Sequence, residues 1–206
     1  MDTLVKTAEP PSTGLAARKK QRTRKLLAEA AAELFYERGY AGTTIEDIAA
    51  VVEVSPRTFY RYFPTKEDLV VAMGQTSMES FFAALGARPP AEPLLTAVRA
   101  AVDEALAPGW EDTAGVRSFM SLIRDTPAFR ARWVEEAYDN RYRLAAVIAG
   151  RTDGDPTGLR NLLIAGAITM AINTAVHCWA DQAAETGPGV YVHRALTELA
   201  APLLAA

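Results

Sequence analysis

The sequence predicts an all-α protein built from about nine helices. Apolar residues recur with helical spacing along most of the 206 residues, and glycines and prolines separate one periodic segment from the next. No stretch alternates apolar and polar residues for long enough to indicate a β-sheet. We expect a disordered arm over residues 1–17, a small helical domain over residues 18–66 and a larger helical domain over residues 67–206. A chain of this length can bury a sizeable core.

Charge is distributed unevenly between the two predicted domains. Residues 1–66 contain 11 Lys or Arg and 8 Asp or Glu, whereas residues 67–206 contain 11 and 17. The formal net charge of -3 therefore conceals a basic N-terminal part. Such a basic domain favours an anionic partner, nucleic acid above all.

Cysteine usage and hydropathy indicate a cytoplasmic protein. Cys178 is the only cysteine, which excludes an internal disulfide and suits a reducing compartment, and we expect it to be buried. The N-terminus shows no secretory signal pattern. The longest apolar run, residues 162–176, contains Thr169 and Asn173. It is shorter than the roughly 20 residues that a bilayer requires. We therefore predict a buried helix and no membrane partner.

The small domain opens with a basic segment. Proline, serine and glycine in residues 1–17 predict disorder, and six basic residues follow within eight positions. They indicate either a solvated helix start or contact with phosphate or the minor groove, and their place just ahead of the next two helices favours contact. The helix that they open is predicted to end at Arg38, before Gly39. The basic residues are Arg18, Lys19, Lys20, Arg22, Arg24 and Lys25, and the expected inner face is Leu26, Leu27, Ala30, Ala31, Leu34 and Phe35.

Two short helices joined by a tight turn follow the first helix. Thr44 is suited to cap the first of them, and Ser55 with Pro56 is a typical start of the second. Phe59 and Phe63 are four residues apart and share the inner face of the second helix. Its outer face carries arginine, hydroxyl and phenol groups. That pattern suits a helix lying in a DNA major groove, although an ordinary amphipathic helix also shows it.

A family resemblance covers this region. The segments Thr-Ile-Glu-Asp-Ile-Ala, residues 44–49, and Val-Ser-Pro-Arg-Thr-Phe-Tyr-Arg-Tyr-Phe-Pro-Thr-Lys-Glu-Asp-Leu, residues 54–69, resemble the DNA-binding signature of the tetracycline-repressor (TetR) family. The resemblance extends over residues 22–69 and implies a three-helix, helix-turn-helix domain that binds double-stranded DNA.

The resemblance implies a role for each matching residue. Phosphate contacts fall on Thr43 and Thr44, base-edge contacts on Arg57, Tyr60 and Arg61, and further contacts with the DNA backbone on Thr58, Tyr62 and Lys66. Pro56 replaces the polar residue that is more usual in the family, so one base contact is expected to be missing.

The larger domain consists of helices separated by breakers. Thr65 and Asp68 have capping-box spacing and predict a fourth helix that starts at Thr65 and ends near Gly86. Five further helices are predicted over residues 94–106, 116–124, 128–149, 157–185 and 191–204. The segment 157–185 is apolar on more than one side, so one side must be covered from outside its own domain. In the TetR family the last two helices form a four-helix bundle with a second subunit, which implies a homodimer through residues 157–185 and 191–204.

The resemblance also implies a small-molecule effector bound inside the larger domain. Thr169, Asn173 and His177 form a polar stripe on an apolar helix, and buried polar groups must be hydrogen-bonded. Asn173 and His177 either satisfy each other or groups across the dimer interface, or they line a ligand cavity. The candidate ligand-binding residues are Phe119, Ile123, Arg124, Trp133, Tyr142, Asn173 and His177.

Residues 117–133 are similar to regulatory domains of actinobacterial TetR-family members that are thought to respond to acyl-CoA-like ligands. This second resemblance implies that Arg117 or Arg124 meets phosphate or carboxylate while aromatic residues hold an acyl chain.

The sequence therefore predicts a dimeric TetR-type repressor that binds a palindromic operator and is released by a small molecule. The alternative is a helical small-molecule or lipid-binding protein without sequence-specific DNA binding. An enzyme is not expected, because no phosphate loop, nucleophile elbow or catalytic triad is present. No cofactor or metal is expected, since His177 and His193 lie in separate helices without carboxylate or thiol neighbours at metal-ligand spacing.

Overall fold

The computed structural model describes residues 14–106, 113–152, 154–182 and 186–204, and these ranges form nine α-helices without strands. The all-α prediction is confirmed. The helices are α1 (Leu15–Arg38), α2 (Ile45–Val51), α3 (Pro56–Tyr62), α4 (Leu69–Ala87), α5 (Leu94–Leu106), α6 (Thr113–Asp125), α7 (Pro127–Thr152), α8 (Leu159–Asp181) and α9 (Pro188–Leu204).

Helices α1 to α3 pack around a small apolar core. Leu27, Leu34, Ile48, Phe59 and Phe63 are all buried and belong to one continuous cluster with the rest of the protein core. Because this cluster continues into the larger domain, the DNA-binding helices predicted from sequence rest on the platform that such a small domain requires.

Two predictions for α1 are wrong in detail. The helix begins at Leu15, inside the segment predicted to be a disordered arm, while residues 1–13 of that arm lie outside the described residues. Leu26 is 43% exposed although it was expected to face inward. Its neighbour Leu27 takes the buried position instead, because successive residues of a helix point in different directions and α1 buries only one face here.

Local hydrogen bonds fix the two short helices. The Thr44 hydroxyl accepts from the Asp47 N–H at 3.1 Å, and the Asp47 carboxylate accepts from the Thr44 N–H at 2.9 Å, which forms a capping box at the start of α2. Ser55 caps α3 by accepting from the Thr58 N–H at 3.1 Å. Between them, Glu53 has a φ of 55°, in the left-handed region that favours glycine. The predicted caps are confirmed, and the tight turn is closed at a strained residue.

Helix α4 begins at Leu69, four residues later than predicted. The Asp68 carboxylate accepts from the N–H of Thr65 at 3.0 Å and from its hydroxyl at 2.9 Å, so the pair forms a turn before the helix. Asp68 is itself the N-cap residue, which explains the misplaced start. From there α4 packs against α1, α5 and α7 and joins the two domains.

Helix α8 packs against α7 and α9 and leaves one side exposed. Only 28% of its most apolar window is buried within the chain, which is in line with the expectation that one side of this segment must be covered from outside its own domain, whereas Cys178 is exposed although it was expected to be buried. By length and composition alone α8 could cross a membrane, a test that core helices of soluble proteins also pass. Five exposed residues recur at intervals of four or seven positions, which gives one stripe: Leu159, Leu163, Met170, Thr174 and Cys178.

Candidate functional site

Helix α3 presents its polar side chains to the outside. Arg57, Tyr60 and Arg61 are exposed, whereas Phe59 and Phe63 are fully buried with ring centroids 5.6 Å apart. Arg57 makes no hydrogen bond or ion pair with the described residues, so its guanidinium is available to an external acceptor. A short helix anchored by two aromatic rings thus carries two arginines and a phenol toward solvent.

The two flanking positions of α3 are partly engaged. The Thr58 hydroxyl lies 3.0 Å from the Ser55 hydroxyl, and both atoms can still accept or donate further. Tyr62 is half-buried, and a hydrogen bond with Thr23 lowers the pKa of its phenol. The Arg61 guanidinium lies 5.2 Å from the centroid of the Tyr62 ring. These contacts hold Thr58 and Tyr62 at the edge of the exposed face.

The six basic residues at the start of α1 differ in their surroundings. The Arg24 guanidinium lies 4.7 Å from the centre of the Phe63 ring, and its Nη1 donates to the Tyr62 carbonyl at 3.4 Å. Arg24 therefore holds the end of α3 in place, which corrects its predicted DNA contact. Lys25 is exposed beside a cavity described below. The other four are exposed: Arg18, Lys19, Lys20 and Arg22.

Thr43 and Lys66, both predicted to contact the DNA backbone, make hydrogen bonds inside the protein at the turn after α1. Thr43 is 1% exposed, and its hydroxyl donates to the carbonyls of Gly39 at 2.9 Å and Leu34 at 3.2 Å. Lys66 Nζ donates to the carbonyls of Tyr40 and Thr43, both at 2.8 Å, and burial lowers the pKa of its ammonium. Thr43 thus satisfies carbonyls at the end of α1, and Lys66 satisfies carbonyls of the turn that follows it.

Thr44 remains exposed at the same turn. Its hydroxyl donates to the Asp47 carboxylate at 2.6 Å, and that bond lowers the pKa of the carboxyl group. The hydroxyl is thus occupied by the α2 cap. Of the eight predicted DNA-contact residues only Thr43 is buried; the exposed ones are Thr44, Arg57, Tyr60 and Arg61, and the partly exposed ones are Thr58, Tyr62 and Lys66.

A cavity of about 520 Å³ lies between the two domains, a size typical of ligand sites. Its walls come from α1 and from helices α4 to α9, and most of them are apolar. The polar and charged lining residues are Lys25, Glu29, Ser77, Asn140, Thr169 and Asn173. Lys25 and Glu29 belong to α1, so the helix that supports α3 also forms one side of the cavity.

Three of the seven predicted ligand-binding residues line this cavity. Trp133 Nε1 donates to Asn173 Oδ1 at 3.0 Å, and Asn173 Nδ2 donates to the Thr169 carbonyl at 3.0 Å. The Phe119 ring stands nearly perpendicular to the Trp133 ring at a centroid distance of 5.6 Å. Asn173 is thus satisfied by Trp133 and by its own helix rather than by His177.

Ile123 and Arg124 of α6 lie outside the cavity. Ile123 is buried in the core, and Arg124 forms surface ion pairs with Asp125 at 3.0 Å and with Asp181. Arg117, predicted as an alternative anion-binding residue, donates to the carbonyls of Trp179 and Ala180 at the end of α8. Helical periodicity places these three residues on a helix, but it does not fix which face of that helix points to the cavity.

Tyr142 and His177 also lie outside the cavity. Tyr142 is 44% exposed on the outer side of α7, where its hydroxyl is 3.2 Å from that of Tyr138 and the Arg141 guanidinium covers both rings. His177 is half-buried, and burial lowers the pKa of its imidazole. Among the residues that the structure describes, no group of three or more His, Cys, Asp or Glu side chains could hold a metal ion.

Two residues that shape the cavity, Gly74 and Asn140, were not predicted from the sequence. A Cβ at Gly74 would lie 2.8 Å from Cζ3 of Trp133, so only glycine lets the indole lie this close to α4. Asn140 on α7 is 4% exposed and lines the cavity. A glycine inside a helical pattern was a usable signal. Asn140 carried none, because α7 contains many polar residues.

Comparison with known proteins bears on both domains. The profile described as bacterial regulatory proteins, tetR family, matches residues 27–73, and the profile described as MftR C-terminal domain matches residues 92–204. The transcriptional regulator TcmR of Streptomyces glaucescens is 37% identical over 160 residues, which cover 75% of this chain and 71% of TcmR. The chain belongs to the TetR family.

Solved structures agree with the fold of this TetR-family protein. A transcriptional regulator from Pseudomonas aeruginosa PAO1 superposes with a TM-score of 0.59 at 19% identity, over 94% of each chain. The SmeT–triclosan complex gives a TM-score of 0.57 at 20% identity, over 88% of this chain and 91% of SmeT. TetR-family proteins are non-enzymatic, DNA-binding transcriptional regulators that bind small-molecule effectors.

One turn of α7 joins the cavity to the DNA-binding helices of this TetR-family protein. Phe129 is fully buried, with its ring 5.5 Å from Phe35 and 4.7 Å from Tyr40. Arg132 Nε lies 2.8 Å from the Asp68 carboxylate. The next residue, Trp133, forms part of the cavity wall. Movement of this turn would therefore alter both the wall of the cavity and the packing against the DNA-binding helices.

Proposed function

We propose that this TetR-family protein is a cytoplasmic, dimeric repressor that binds a palindromic operator and releases it when a small molecule occupies the cavity. The outward face of α3 carries the proposal, because Arg57, Tyr60 and Arg61 are exposed above a fully buried aromatic anchor. No internal structural role explains the exposure of Arg57, which has no partner among the described residues.

The DNA contacts are assigned by side-chain chemistry. Arg57 presents the two-pronged donor that matches the O6 and N7 acceptors of guanine, and Tyr60 and Arg61 flank it on the same face. Thr58, Tyr62 and Thr44 lie at the edges of that face, where hydroxyl groups suit phosphate oxygens. Thr43 and Lys66 act indirectly in this proposal, since they hold the α1–α2 turn on which α3 rests.

The dimer is proposed to form around the exposed stripe of α8. Leu163 is 62% exposed and Met170 is 65% exposed, which is unusual for large apolar side chains of a monomer when they line up. Ala167 lies between them, and its small side chain permits close approach of a second helix, whereas Gly166 faces the Arg141 side chain of α7. The predicted dimer also uses residues 191–204. The described residues that α9 exposes are mostly polar, so in this proposal α9 lies at the edge of the interface. These exposed residues are Val190, Arg194, Thr197 and Glu198.

Release is proposed to act through α1 and the first turn of α7. A ligand that fills the cavity presses on Trp133, one residue from Arg132 and one turn from Phe129. Shifting that turn moves the Phe35 and Tyr40 contacts, and with them the orientation of α3. In a dimer a small rotation changes the spacing of the two α3 helices, which must match about one turn of DNA, roughly 34–36 Å.

Selection from random duplex DNA tests the proposal directly. The wild-type protein should enrich a palindrome with half-sites about one helical turn apart, roughly 10 base pairs. Sedimentation at micromolar concentration should show a dimer. Met170→Lys should shift the protein toward the monomer, whereas Thr96→Lys, at an exposed position of α5, should not. Absence of any enriched palindrome would favour the alternative of a helical ligand-binding protein without sequence-specific DNA binding.

A further inference from the structure

Asn140 carries a hydrogen-bonding group that the protein leaves unused. The residue is 4% exposed and lines the cavity, and its Oδ1 accepts from Arg143 Nη1 at 3.3 Å. That bond fixes the amide orientation, because an arginine can only donate. The amide N–H groups have no hydrogen-bond partner among the described residues. The amide nitrogen is not fully enclosed by protein atoms, so an acceptor bound in the cavity can reach it, and a hydrogen bond made in such an apolar surrounding is strengthened.

Four hydrogen-bonding residues of the cavity lie together, whereas Lys25, Glu29 and Ser77 line it elsewhere. Asn140, Thr169, Asn173 and Trp133 also line a small recess of about 30 Å³, room for a single water-sized group, beside the main cavity. The opposite walls are apolar: Phe81, Val102, Ala105, Leu106, Val116 and Val192. A molecule that fills both ends therefore needs an apolar body and a small polar group at one end.

The charged side chains around the cavity oppose an anionic ligand. The only cation among the described lining residues is Lys25, which is exposed and paired with Glu29 at 3.6 Å. Glu136 lines the small recess, and the cation nearest to Asn140, Arg143, is bonded to Asn140 Oδ1 and is not among the lining residues. A buried anion would have to be paired, and neither Arg117 nor Arg124 reaches the cavity.

We propose that the effector is an uncharged, largely apolar molecule with a carbonyl-type acceptor, and that Asn140 selects it by donating to that acceptor. The inference rests on the proposed function, since it names the class of ligand for the same cavity. It replaces the acyl-CoA-like class with a neutral one. Asn140 acts as the residue that distinguishes a ketone from a hydrocarbon of the same shape.

Shape-matched probe pairs test this inference. Isothermal titration would compare 9-fluorenone with fluorene, benzophenone with diphenylmethane, and anthrone with 9,10-dihydroanthracene. The ketone of each pair should bind about tenfold more tightly, the effect of one buried hydrogen bond. Decanoyl-CoA, fluorene-9-carboxylate and 9-aminofluorene serve as charged probes and should bind more weakly than fluorenone.

Two variants assign the preference to Asn140. Asn140→Leu removes the donor, and Asn140→Asp keeps the size and the acceptor for Arg143 while removing both N–H groups. Each should bring the ketone-to-hydrocarbon ratio close to one. Asn161→Leu is the matched control, because Asn161 is a buried asparagine outside the cavity and should leave the ratio unchanged.

The outcomes separate this inference from the proposed function. Equal binding of ketone and hydrocarbon, a preference that survives in both Asn140 variants, or tighter binding of a charged probe would overturn the neutral-acceptor assignment. DNA binding, measured separately by fluorescence anisotropy on the selected duplex, would still support the repressor. If the duplex is bound but no probe of any class binds or releases it, both the effector class and ligand-controlled release are wrong.

Discussion

The DNA-binding helices and the regulatory helices use polar side chains in opposite directions. On α3, Arg57, Tyr60 and Arg61 point outward from a buried aromatic base, whereas Asn140 and Asn173 point into a mostly apolar cavity. The exposed face of α3 suits a large partner such as double-stranded DNA, and the cavity suits a small molecule that it can enclose. One turn of α7 touches both regions, and α1 lines the cavity while it packs against the DNA-binding helices, so the two surfaces are linked through α1 and α7.

Truncating Phe129 is the strongest way to break that link. Phe129→Ala should lower the free energy of unfolding by about 3–5 kcal/mol, because a fully buried ring in contact with Phe35 and Tyr40 is lost. Urea unfolding would measure the loss. If the two domains pack through this ring, the variant should also separate their unfolding transitions. A loss below about 1 kcal/mol would mean that the surrounding side chains do not depend on it.

A methyl group at Gly74 sharpens the comparison on the cavity side. Gly74→Ala should cost about 1–3 kcal/mol of stability and weaken fluorenone binding, because the new Cβ would push the Trp133 ring into the cavity. Thermal unfolding and titration would measure both effects. Gly86→Ala is the matched control on the same helix, since its Cβ would meet nothing within 4 Å. Unchanged ligand affinity in Gly74→Ala would separate Trp133 from the site.

The Asp68–Arg132 ion pair makes the link between the domains sensitive to acid. Burial opposes ionisation of Asp68, but hydrogen bonds from Arg132 and Thr65 outweigh it and hold the pKa of the carboxyl group below its usual range. A lowered pKa adds stability above the unfolded value of about 4 and loses it as the pH falls through the folded value.

Asp68→Asn should therefore cost about 1–2 kcal/mol at pH 7, between the values for exposed and buried ion pairs. The gap from wild type should narrow only below about pH 4, as the wild-type carboxyl group becomes protonated. Urea unfolding at a series of pH values would show this. Asp139→Asn, at an exposed position without an ion pair among the described residues, should show no comparable gap. A gap that stayed constant to pH 3 would point away from the ion pair.

The smallest expected effect lies in the turn between α2 and α3. Glu53→Gly should raise the free energy of unfolding by about 0.5–1 kcal/mol. Glycine adopts the positive φ of 55° without the strain of a Cβ, and this gain exceeds the conformational entropy that glycine loses on folding. Glu53→Ala keeps the Cβ and should give no gain. Thermal unfolding of the two variants compares them, and equal behaviour would mean that the strain is negligible.

Local signals explain why the DNA-binding helices were predicted well. Thr44, Ser55, Pro56 and Gly39 act through bonds or backbone angles within a few residues, so the sequence specifies them directly. The roles of Thr43 and Lys66 could not be predicted in the same way. Lys66 reaches carbonyls 23 and 26 residues earlier in the chain, a contact that only the folded structure creates.

The cavity depends on contacts between distant helices and was predicted only in part. Phe119, Trp133 and Asn173 were found because aromatic and polar residues stand out on apolar helices. Tyr142 is also aromatic but lies on the outer side of α7. Because both sides of α7 carry polar as well as apolar residues, helical periodicity alone does not show which side faces the cavity. The walls from α1 required knowledge of how the two domains pack.

The most direct test of the central claim is DNA selection with Arg57→Ala beside the wild type. The outward face of α3 predicts a loss of about 1–3 kcal/mol in operator binding and relaxed preference at one position of each half-site. Arg130→Ala removes the same charge from an exposed position of α7 and should change neither. Unchanged specificity in Arg57→Ala, or an equal loss on every sequence, would contradict base recognition by this helix.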